Sequence, residues 1–285
     1  MYSLKNAQLS VSILDPIADQ KRLGSRYCTG GYIYQVTDAV KGELLAGPHY
    51  PSPEPNVFDG QGAPDMFQAA LLPEGVAVGG AVACIGVGLV RLSTPGEPFD
   101  VRFNPEVIEF LPWEVSQNAD SIRMSTQHTF QGWAYTLTRL VTLQGRKLIS
   151  RPSIASQGSA ALPLRWFAHP FFPLTPDQVL CRFSLPLDLP ESPGYFYNAE
   201  GFICRKPEFD WTRGGCYQPF HITAPGSSFS ILQKHPKVGH VTAETDFVPG
   251  FLPIWGNDKT FSFEPYYLGT LGQGESAEWS ITYQF

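Results

Sequence analysis

The chain has 285 residues, of which 16% are charged, and its formal net charge is −6. It contains no basic run of the kind that binds phosphate backbones, so nucleic acid is not expected as a partner. Its 27 glycines, 26 prolines and 13% aromatic residues favour many short strands joined by turns over helices. The composition therefore predicts an all-β protein.

Alternating apolar and polar residues predict the first strands. The segments LSVSILD from Leu9 and GGYIYQVTD from Gly30 both show this alternation, which is typical of half-buried strands. A Pro-rich stretch, GPHYPSPEPNVFDGQGAPDMF, follows from Gly47. It is predicted to lie outside regular sheet because each proline removes a backbone donor. A long irregular segment of this kind is usually functional or mobile.

The longest apolar stretch, VAVGGAVACIGVGLV, begins at Val76. It is interrupted by glycines and is shorter than the roughly 20 residues that a membrane span requires, so it predicts buried strand and no membrane partner. The N-terminal segment MYSLKNAQLSVSILD lacks the basic start and continuous apolar core of a signal peptide. Together with five cysteines that show no close pairing, this predicts a cytoplasmic protein with reduced thiols.

The central part of the chain predicts a hairpin. The segment WAYTLTRLVTLQGRKLIS from Trp133 consists of two strand patterns joined by a Gln-Gly-Arg turn, and IRMSTQHTFQG before it has the pattern of the preceding strand. A second irregular stretch, SLPLDLPESPGYFYNAEGF from Ser184, is predicted as a connecting loop. Neither irregular stretch is polar or long enough to link two domains, so residues 1–285 are predicted to form one domain.

Four segments occur in order along the chain: FDGQGAPDMF, CIGVGLVRL, WFAHPFFPL and the C-terminal FSFEPYYLGTLGQGESAEWSITYQF. In sequence and order they resemble the aldose 1-epimerase (galactose mutarotase) family, and the likeness spans nearly the whole chain. The resemblance implies a large antiparallel β-sandwich whose concave face holds a sugar. It also implies interconversion of the α and β anomers of an aldose without a cofactor. No CxxC or His/Cys cluster has metal-ligand spacing, so no metal is expected.

The segment WFAHPFFPL matches the part of the family that contains a catalytic histidine. That histidine acts as a general acid on the ring oxygen, so the resemblance implies this role for His169. A buried histidine bonded to backbone is the alternative interpretation. Aromatic residues flank it, and aromatic faces are the surfaces on which the C–H patches of sugars stack. Among them, Trp166 is predicted to bind substrate.

The C-terminal segment contains two candidate general bases. The resemblance implies that Glu264 in SFEPYY is the base, and its aromatic neighbours would raise the pKa of its carboxyl group by desolvation. Glu275 in GQGES is the alternative, but the glycines before it predict a solvent-exposed turn. The predicted reaction has Glu264 taking the proton of the anomeric hydroxyl while His169 protonates the ring oxygen.

Further residues are candidates for binding sugar hydroxyls. A third carboxylate of the family holds a hydroxyl, and the resemblance implies this role for Asp210 in EFDWTRGGCYQPF, with a surface turn as the alternative. Many relatives of that family carry an arginine with a nearby second histidine, or an Arg-Gly-Gly segment, where this chain has DGQGAPD. Gln61 and Asp65 in that segment are candidate ligands, and His128 is a candidate replacement for the missing imidazole. The alternatives are loop structure for Gln61 and Asp65 and strand packing for His128.

The sequence leaves other functions open. A carbohydrate-binding protein would keep the aromatic face without an acid and a base, and the altered DGQGAPD segment favours it. A polysaccharide lyase or glycoside hydrolase on a related sandwich would need a catalytic Tyr/His or two-carboxylate pair. A sugar-phosphate epimerase would need cationic phosphate ligands, for which the candidates are Arg26, Arg123, Arg165 and Arg205. The identity of the sugar and the oligomeric state are not predicted.

Overall fold

The computed structural model of the protein describes residues 1–51, 59–95, 99–223 and 225–285. Almost all regular structure in these ranges is β-strand, as the composition predicts. The helices in them are single 3-10 turns at Gln20–Arg22, Val101–Phe103 and Trp211–Arg213. Within the described ranges, no helix is long and apolar enough to cross a membrane.

The strands are short and follow one another along the whole described chain. Every pairing recorded between them is antiparallel. In order they are β1 (Tyr2–Lys5), β2 (Leu9–Ile13), β3 (Ile33–Asp38), β4 (Gly42–Glu43), β5 (Asp65–Phe67), β6 (Ala70–Leu71), β7 (Ala81–Cys84), β8 (Gly88–Arg91), β9 (Val107–Phe110), β10 (Glu114–Gln117), β11 (Ser121–Phe130), β12 (Trp133–Gln144), β13 (Lys147–Ser156), β14 (Leu162–Ala168), β15 (Phe172–Pro173), β16 (Val179–Phe183), β17 (Tyr195–Tyr197), β18 (Ile203–Arg205), β19 (Cys216–Gln218), β20 (Phe229–His235), β21 (Gly239–Thr245), β22 (Ile254–Gly256), β23 (Thr260–Phe263), β24 (Tyr266–Leu271), β25 (Ser276–Glu278) and β26 (Ile281–Gln284).

The predicted strands are present. LSVSILD and GGYIYQVTD contain β2 and β3, the apolar stretch from Val76 contains β7 and β8, and the predicted central hairpin is β12 and β13 with Gly145 at its turn. The two stretches predicted as irregular each contain one short strand, β5 and β17, so the prediction was wrong at these points. Both strands follow the last proline of their stretch, where backbone donors are available again. Residues 52–58 of the first stretch lie outside the described residues.

The strands form one large sheet and several small ones. An eleven-stranded sheet, ordered β10-β11-β12-β13-β26-β21-β20-β16-β18-β17 with β25 beside β13, forms one layer. The sheets β24-β14-β5 and β15-β23-β22-β19 face it, and both layers contribute to one hydrophobic core. For example, the ring of Trp166 on β14 lies 5.5 Å from that of Trp279, which follows β25. The predicted antiparallel β-sandwich is therefore confirmed.

The segment that contains Gly62 supports the loop between β14 and β15. The carbonyl oxygen of Gly62 accepts a hydrogen bond of 2.7 Å from the backbone of Phe171, and that of Pro64 accepts one of 2.8 Å from His169. Gly62 has a φ of +83°, and a Cβ at this position would meet two backbone oxygens of β3. Glycine is therefore required by both the backbone conformation and the close approach of β3.

Gly62→Ala is expected to lower the free energy of unfolding by about 2–4 kcal/mol, because alanine must adopt a left-handed conformation and its Cβ must displace β3. Gly75→Ala is the matched control, since Gly75 has a φ of +71° but no atom lies within 4 Å of the added Cβ. It is expected to cost about 1 kcal/mol, from backbone conformation alone. Urea denaturation measures both values, and equal losses would contradict the steric explanation.

Candidate active site

The predicted acid and base directly follow the strands β14 and β23 and lie on the same side of their layer. Along β23 the side chains alternate, so Phe261 and Phe263 enter the core while Ser262 faces away from it. Glu264 follows the strand directly and continues the face of Ser262. His169 follows β14, and its Nδ1 lies 2.8 Å from the hydroxyl oxygen of Ser262. The alternation thus brings a hydroxyl, a carboxyl group and an imidazole together.

His169 and Glu264 are in direct contact. The Nε2 atom of His169 lies 3.3 Å from Oε1 of Glu264, and the two side chains are only 3% and 9% exposed. Their backbone N–H groups donate to the carbonyl oxygens of Pro64 and Pro253, each at 2.8 Å. The ring of Phe171 stacks on the imidazole with a centroid distance of 4.5 Å. Backbone bonds and packing therefore both fix the position of the pair.

The pair lines a cleft of about 740 Å³. One row of cross-strand neighbours, Met66 on β5, Phe167 on β14 and Tyr266 on β24, forms part of its wall. A second row places Tyr217 on β19 opposite Trp255 on β22, which in turn pairs with β23. Polar and charged groups line the remainder, including Arg26, Asp59, Gln68, Asp100 and Arg102. The cleft thus combines aromatic surfaces with hydrogen-bonding groups.

Arg26 connects the pair to the rim of the cleft. Its Nη2 atom lies 3.4 Å from Nε2 of His169, the same nitrogen that contacts Glu264. Its Nη1 atom lies 4.0 Å from a carboxylate oxygen of Asp59, and the other oxygen of Asp59 lies 2.6 Å from Nε2 of His49. A chain of polar contacts through Arg26 and Asp59 therefore leads from the buried pair to His49 at the rim.

Burial shifts the pKa of both members of the pair. Removal from water raises the pKa of Glu264 to about 8, although the positive charge of Arg26 acts in the opposite direction. Burial and the charge of Arg26 together hold the pKa of His169 well below its ordinary value. At pH 7 the carboxyl group therefore retains its proton and the imidazole is neutral. One proton donor and one proton acceptor face each other in the cleft.

Two residues predicted to bind substrate lie in the core instead of lining the cleft. Trp166 is fully buried among aromatic side chains of the core, whereas its neighbour Phe167 lines the cleft. Asp65 forms a buried ion pair with Arg139 of the large sheet, and the same guanidinium donates to Ser150 at 3.2 Å. Both residues therefore contribute to packing between the layers in this structure.

The other predicted ligands also lie away from the cleft lining. Gln61 is buried, and its backbone N–H donates to the hydroxyl oxygen of Tyr32 at 3.1 Å. His128 packs against Phe130 and Tyr135 on β11 and β12. Asp210 is exposed, accepts a hydrogen bond from the backbone of Thr212 and pairs with Arg213. These placements match the alternative interpretations of packing, loop structure and a surface turn.

Sequence reasoning missed Ser262, Trp255 and Tyr217, and it named Arg26 only as one of several possible phosphate ligands. The alternation in FSFE could have identified Ser262, because the phenylalanines on either side predict that it faces away from the core. Trp255 and Tyr217 line the cleft because of the register in which β19 pairs with β22. No local sequence pattern indicates that register. Arg26 meets His169 across 143 residues of sequence.

Within the described residues, no group of three or more His, Cys, Asp or Glu side chains could hold a metal ion.

Comparison of the sequence with protein families finds no match, and neither does comparison with curated proteins. Solved structures do match across the chain. A galactose mutarotase related enzyme from Lactobacillus acidophilus has a TM-score of 0.61 at 12% identity, with 100% of this chain and 97% of that chain covered. A galactose mutarotase-like protein from Lactobacillus casei has a TM-score of 0.57 at 13% identity, with 100% of this chain and 99% of that chain covered. An aldose epimerase homologue from C. elegans has a TM-score of 0.52 at 13% identity, with 99% of this chain and 97% of that chain covered. The chain therefore has the galactose mutarotase-like fold.

Proposed function

We propose that the protein is a cofactor-independent aldose 1-epimerase, which interconverts the α and β anomers of an aldose. The contact between Nε2 of His169 and Oε1 of Glu264 in the cleft carries the proposal. Opening a cyclic hemiacetal requires one group that takes a proton and one that gives a proton, and this pair supplies both. The fold shared with galactose mutarotase-like structures supports the same activity.

The proposed reaction needs only proton transfer and bond rotation. One member of the pair takes the proton of the anomeric hydroxyl while the other protonates the ring oxygen, and the C1–O5 bond breaks. The open-chain aldehyde rotates about its C1–C2 bond. Ring closure on the opposite carbonyl face reverses both proton transfers and yields the other anomer. A positioned acid or base contributes roughly 10²- to 10⁴-fold to such a step.

The walls of the cleft suit a sugar ring. Tyr217 is 51% exposed, and with Trp255 it offers aromatic faces to the C–H patches of a sugar. Gly215 makes this possible, because a Cβ at that position would meet the indole of Trp255. On the polar side, Oε1 of Gln68 accepts from Arg165 at 2.6 Å, which orients an amide whose nitrogen can donate to a sugar hydroxyl.

Anomer exchange measured by NMR over a panel of aldoses tests the proposal. The panel includes phosphorylated aldoses because two cationic residues, Arg26 and Arg102, line the cleft. We expect exchange faster than the spontaneous rate for at least one member. A sugar that binds in calorimetry while no member of the panel exchanges faster would favour the alternative, a carbohydrate-binding protein without catalysis.

The rate of exchange is expected to form a plateau that ends near pH 8. Above that value Glu264 loses its proton while His169 is neutral, so the pair has no proton to give. The acid limb is expected well below pH 6.5, where His169 becomes protonated and no group can take a proton. Measurement of kcat/KM across pH checks both limbs. A rate that continues to rise well above pH 8 would contradict the assignment.

A further inference from the structure

The strands β5, β14 and β24 arrange the cleft side of their sheet in three rows of side chains. The middle row consists of the cross-strand neighbours Met66, Phe167 and Tyr266. Side chains two residues apart on a strand share a face. The row on one side of the middle row therefore contains His169 and Glu264, and the row on the other side contains Gln68 and Arg165. Gln68 thus lines the cleft on the side opposite the proton-transfer pair.

The contacts of Gln68 allow only one orientation of its amide group. Its Oε1 atom accepts from Nε of Arg165 at 2.6 Å, and a guanidinium only donates hydrogen bonds. The hydroxyl group of Tyr266 donates to the same oxygen at 3.1 Å. Burial raises the pKa of Tyr266, so this hydroxyl keeps its proton at neutral pH. A carbonyl oxygen has two lone pairs and accepts both bonds at once.

The nitrogen of the same amide is left for a ligand. A flipped amide would turn its NH₂ group toward the Nε–H of Arg165, and two donors at 2.6 Å repel each other. Among the described residues, no acceptor bonds to Nε2 of Gln68, and the side chain lines the cleft. Gln68 therefore offers two N–H donors and no free acceptor to a molecule in the cleft.

Packing holds both donors to Gln68 in place. The backbone N–H of Gln68 donates to the carbonyl oxygen of Arg165 at 2.8 Å, which joins the two residues across their strands. The guanidinium of Arg165 lies over the ring of Tyr266, 5.2 Å from its centroid. That ring stacks on Phe167 with a centroid distance of 4.5 Å. The orientation of the amide is therefore set before a ligand enters.

The distance between the pair and Gln68 suits a single sugar ring. Four residues separate Arg165 from His169, which corresponds to about 13 Å along a strand. A pyranose ring with a hydrogen bond of about 3 Å at each end spans a comparable length. A sugar whose C1 and O5 atoms lie at His169 and Glu264 therefore turns the opposite side of its ring, C3 and C4, toward Gln68.

We propose that Gln68 is a specificity-determining residue whose N–H groups donate to the oxygen on C3 or C4 of an aldopyranose, and that Arg165 and Tyr266 are the positioning residues that orient it. This inference deepens the proposed function and rests on it for the position of C1. It assigns a hydroxyl ligand to a part of the cleft that Asp210 and Gln61, the residues suggested by the sequence, do not line.

Deoxy sugars test the contact. Dissociation constants are measured by NMR titration for D-glucose, D-galactose and their 2-, 3- and 4-deoxy derivatives. Removal of the oxygen on C3 or C4 is expected to weaken binding by at least about tenfold in the wild-type protein. In Gln68→Ala this ratio is expected to fall to about two, while the ratio for the 2-deoxy sugar stays unchanged. Ratios that are the same in both proteins, or no binding of either parent sugar, would overturn the inference.

Gln68→Glu tests the direction of the hydrogen bond. A carboxylate keeps the contacts with Arg165 and Tyr266, but it presents an acceptor where glutamine presents N–H donors. A sugar hydroxyl can turn to donate, so the parent sugar is expected to bind within a few-fold of its wild-type affinity. A fluorine on C3 or C4 cannot donate, so the matching fluoro sugar is expected to bind at least about tenfold more weakly to Gln68→Glu than to the wild-type protein. Unchanged affinity for both fluoro sugars would show that Gln68 is not the donor.

Arg165→Met and Tyr266→Phe test the positioning roles. Each variant removes one donor to Oε1 of Gln68 and keeps most of the side-chain volume. Each is expected to weaken binding of the parent sugar by about fivefold and to reduce the ratio between parent and deoxy sugar, which a purely structural role would leave unchanged. Arg182→Met is the matched control, since Arg182 lies over the ring of Phe202 at 4.9 Å on the large sheet. Circular dichroism checks that all variants are folded, and a deoxy ratio equal to that of the wild-type protein removes the role of that residue.

These measurements separate the two proposals, because dissociation constants are read independently of turnover. If the deoxy ratio depends on Gln68 but no aldose exchanges its anomers faster than the spontaneous rate, Gln68 is a sugar ligand and the proposed function fails. If exchange is accelerated but Gln68→Ala leaves every deoxy ratio unchanged, the proposed function stands and the inference about Gln68 fails.

Discussion

Glu264→Gln is expected to lower the rate of anomer exchange by at least about 100-fold while the protein remains folded. Glutamine keeps the size of the side chain but cannot give or take a proton in the reaction. The 3.3 Å contact with Nε2 of His169 then no longer joins an acid to a base. NMR exchange with a sugar that responds in the panel measures the rate, and circular dichroism checks the fold.

Glu275→Gln is the matched control, because it makes the same change at the other candidate base. Glu275 is exposed, and its Oε2 accepts a hydrogen bond of 2.7 Å from the backbone of Gly272 in the turn before β25. The rate of anomer exchange in Glu275→Gln is expected to stay within a few-fold of the wild-type rate. A larger loss in Glu275→Gln than in Glu264→Gln would move the base to Glu275. Full activity in both variants would contradict any role of these carboxyl groups.

Asp65→Asn is expected to lower the free energy of unfolding by about 3–5 kcal/mol, because it leaves the buried charge of Arg139 without an opposite charge. The side chain of Arg139 is 0% exposed and that of Asp65 is 6% exposed, so water cannot compensate. Two further nitrogens of the Arg139 side chain already lack a hydrogen-bond partner among the described residues. Urea denaturation at pH 7 measures the loss.

Two comparisons isolate the buried charge. The double variant Asp65→Leu with Arg139→Met replaces both charges by apolar side chains and is expected to be more stable than Asp65→Asn. Glu106→Gln breaks a surface pair in which Arg91 and Glu106 are 42% and 55% exposed, and it is expected to cost less than about 1 kcal/mol. If Asp65→Asn costs no more than Glu106→Gln, the ion pair does not stabilise the contact between the layers.

The fold class could be predicted from local patterns because alternation and turn residues act over a few positions. The hairpin of β12 and β13 shows this, since its strands and its turn at Gly145 lie within one continuous segment. The order of the large sheet could not be predicted, because β26 pairs with both β13 and β21 through contacts between distant segments. That residues 1–285 form a single domain stays a prediction.

The candidate site, like the fold, could be predicted only in part from local patterns. His169 and Glu264 stand in recognisable segments, and the structure brings them into contact, although their catalytic roles stay predictions. Trp166 and Phe167 are aromatic neighbours on β14, where Leu164 is buried and Arg165 is exposed. The alternation in LPLRWF could have placed Trp166 on the core face and Phe167 on the opposite face, but aromatic character alone was used to select Trp166. A shift of one residue exchanges the two faces of a strand.

The burial of Glu264 also couples folding to proton uptake. In the unfolded chain this carboxyl group has its ordinary pKa of 4.5 and is ionised at neutral pH, whereas in the folded protein its pKa is about 8. Folding therefore takes up a proton between these values, and the contribution of Glu264 to stability decreases as pH rises from about 4.5 to about 8. Glu264, which we propose for catalysis, thus opposes folding at neutral pH. A chain that no longer needed the catalytic activity would gain stability by replacing this residue.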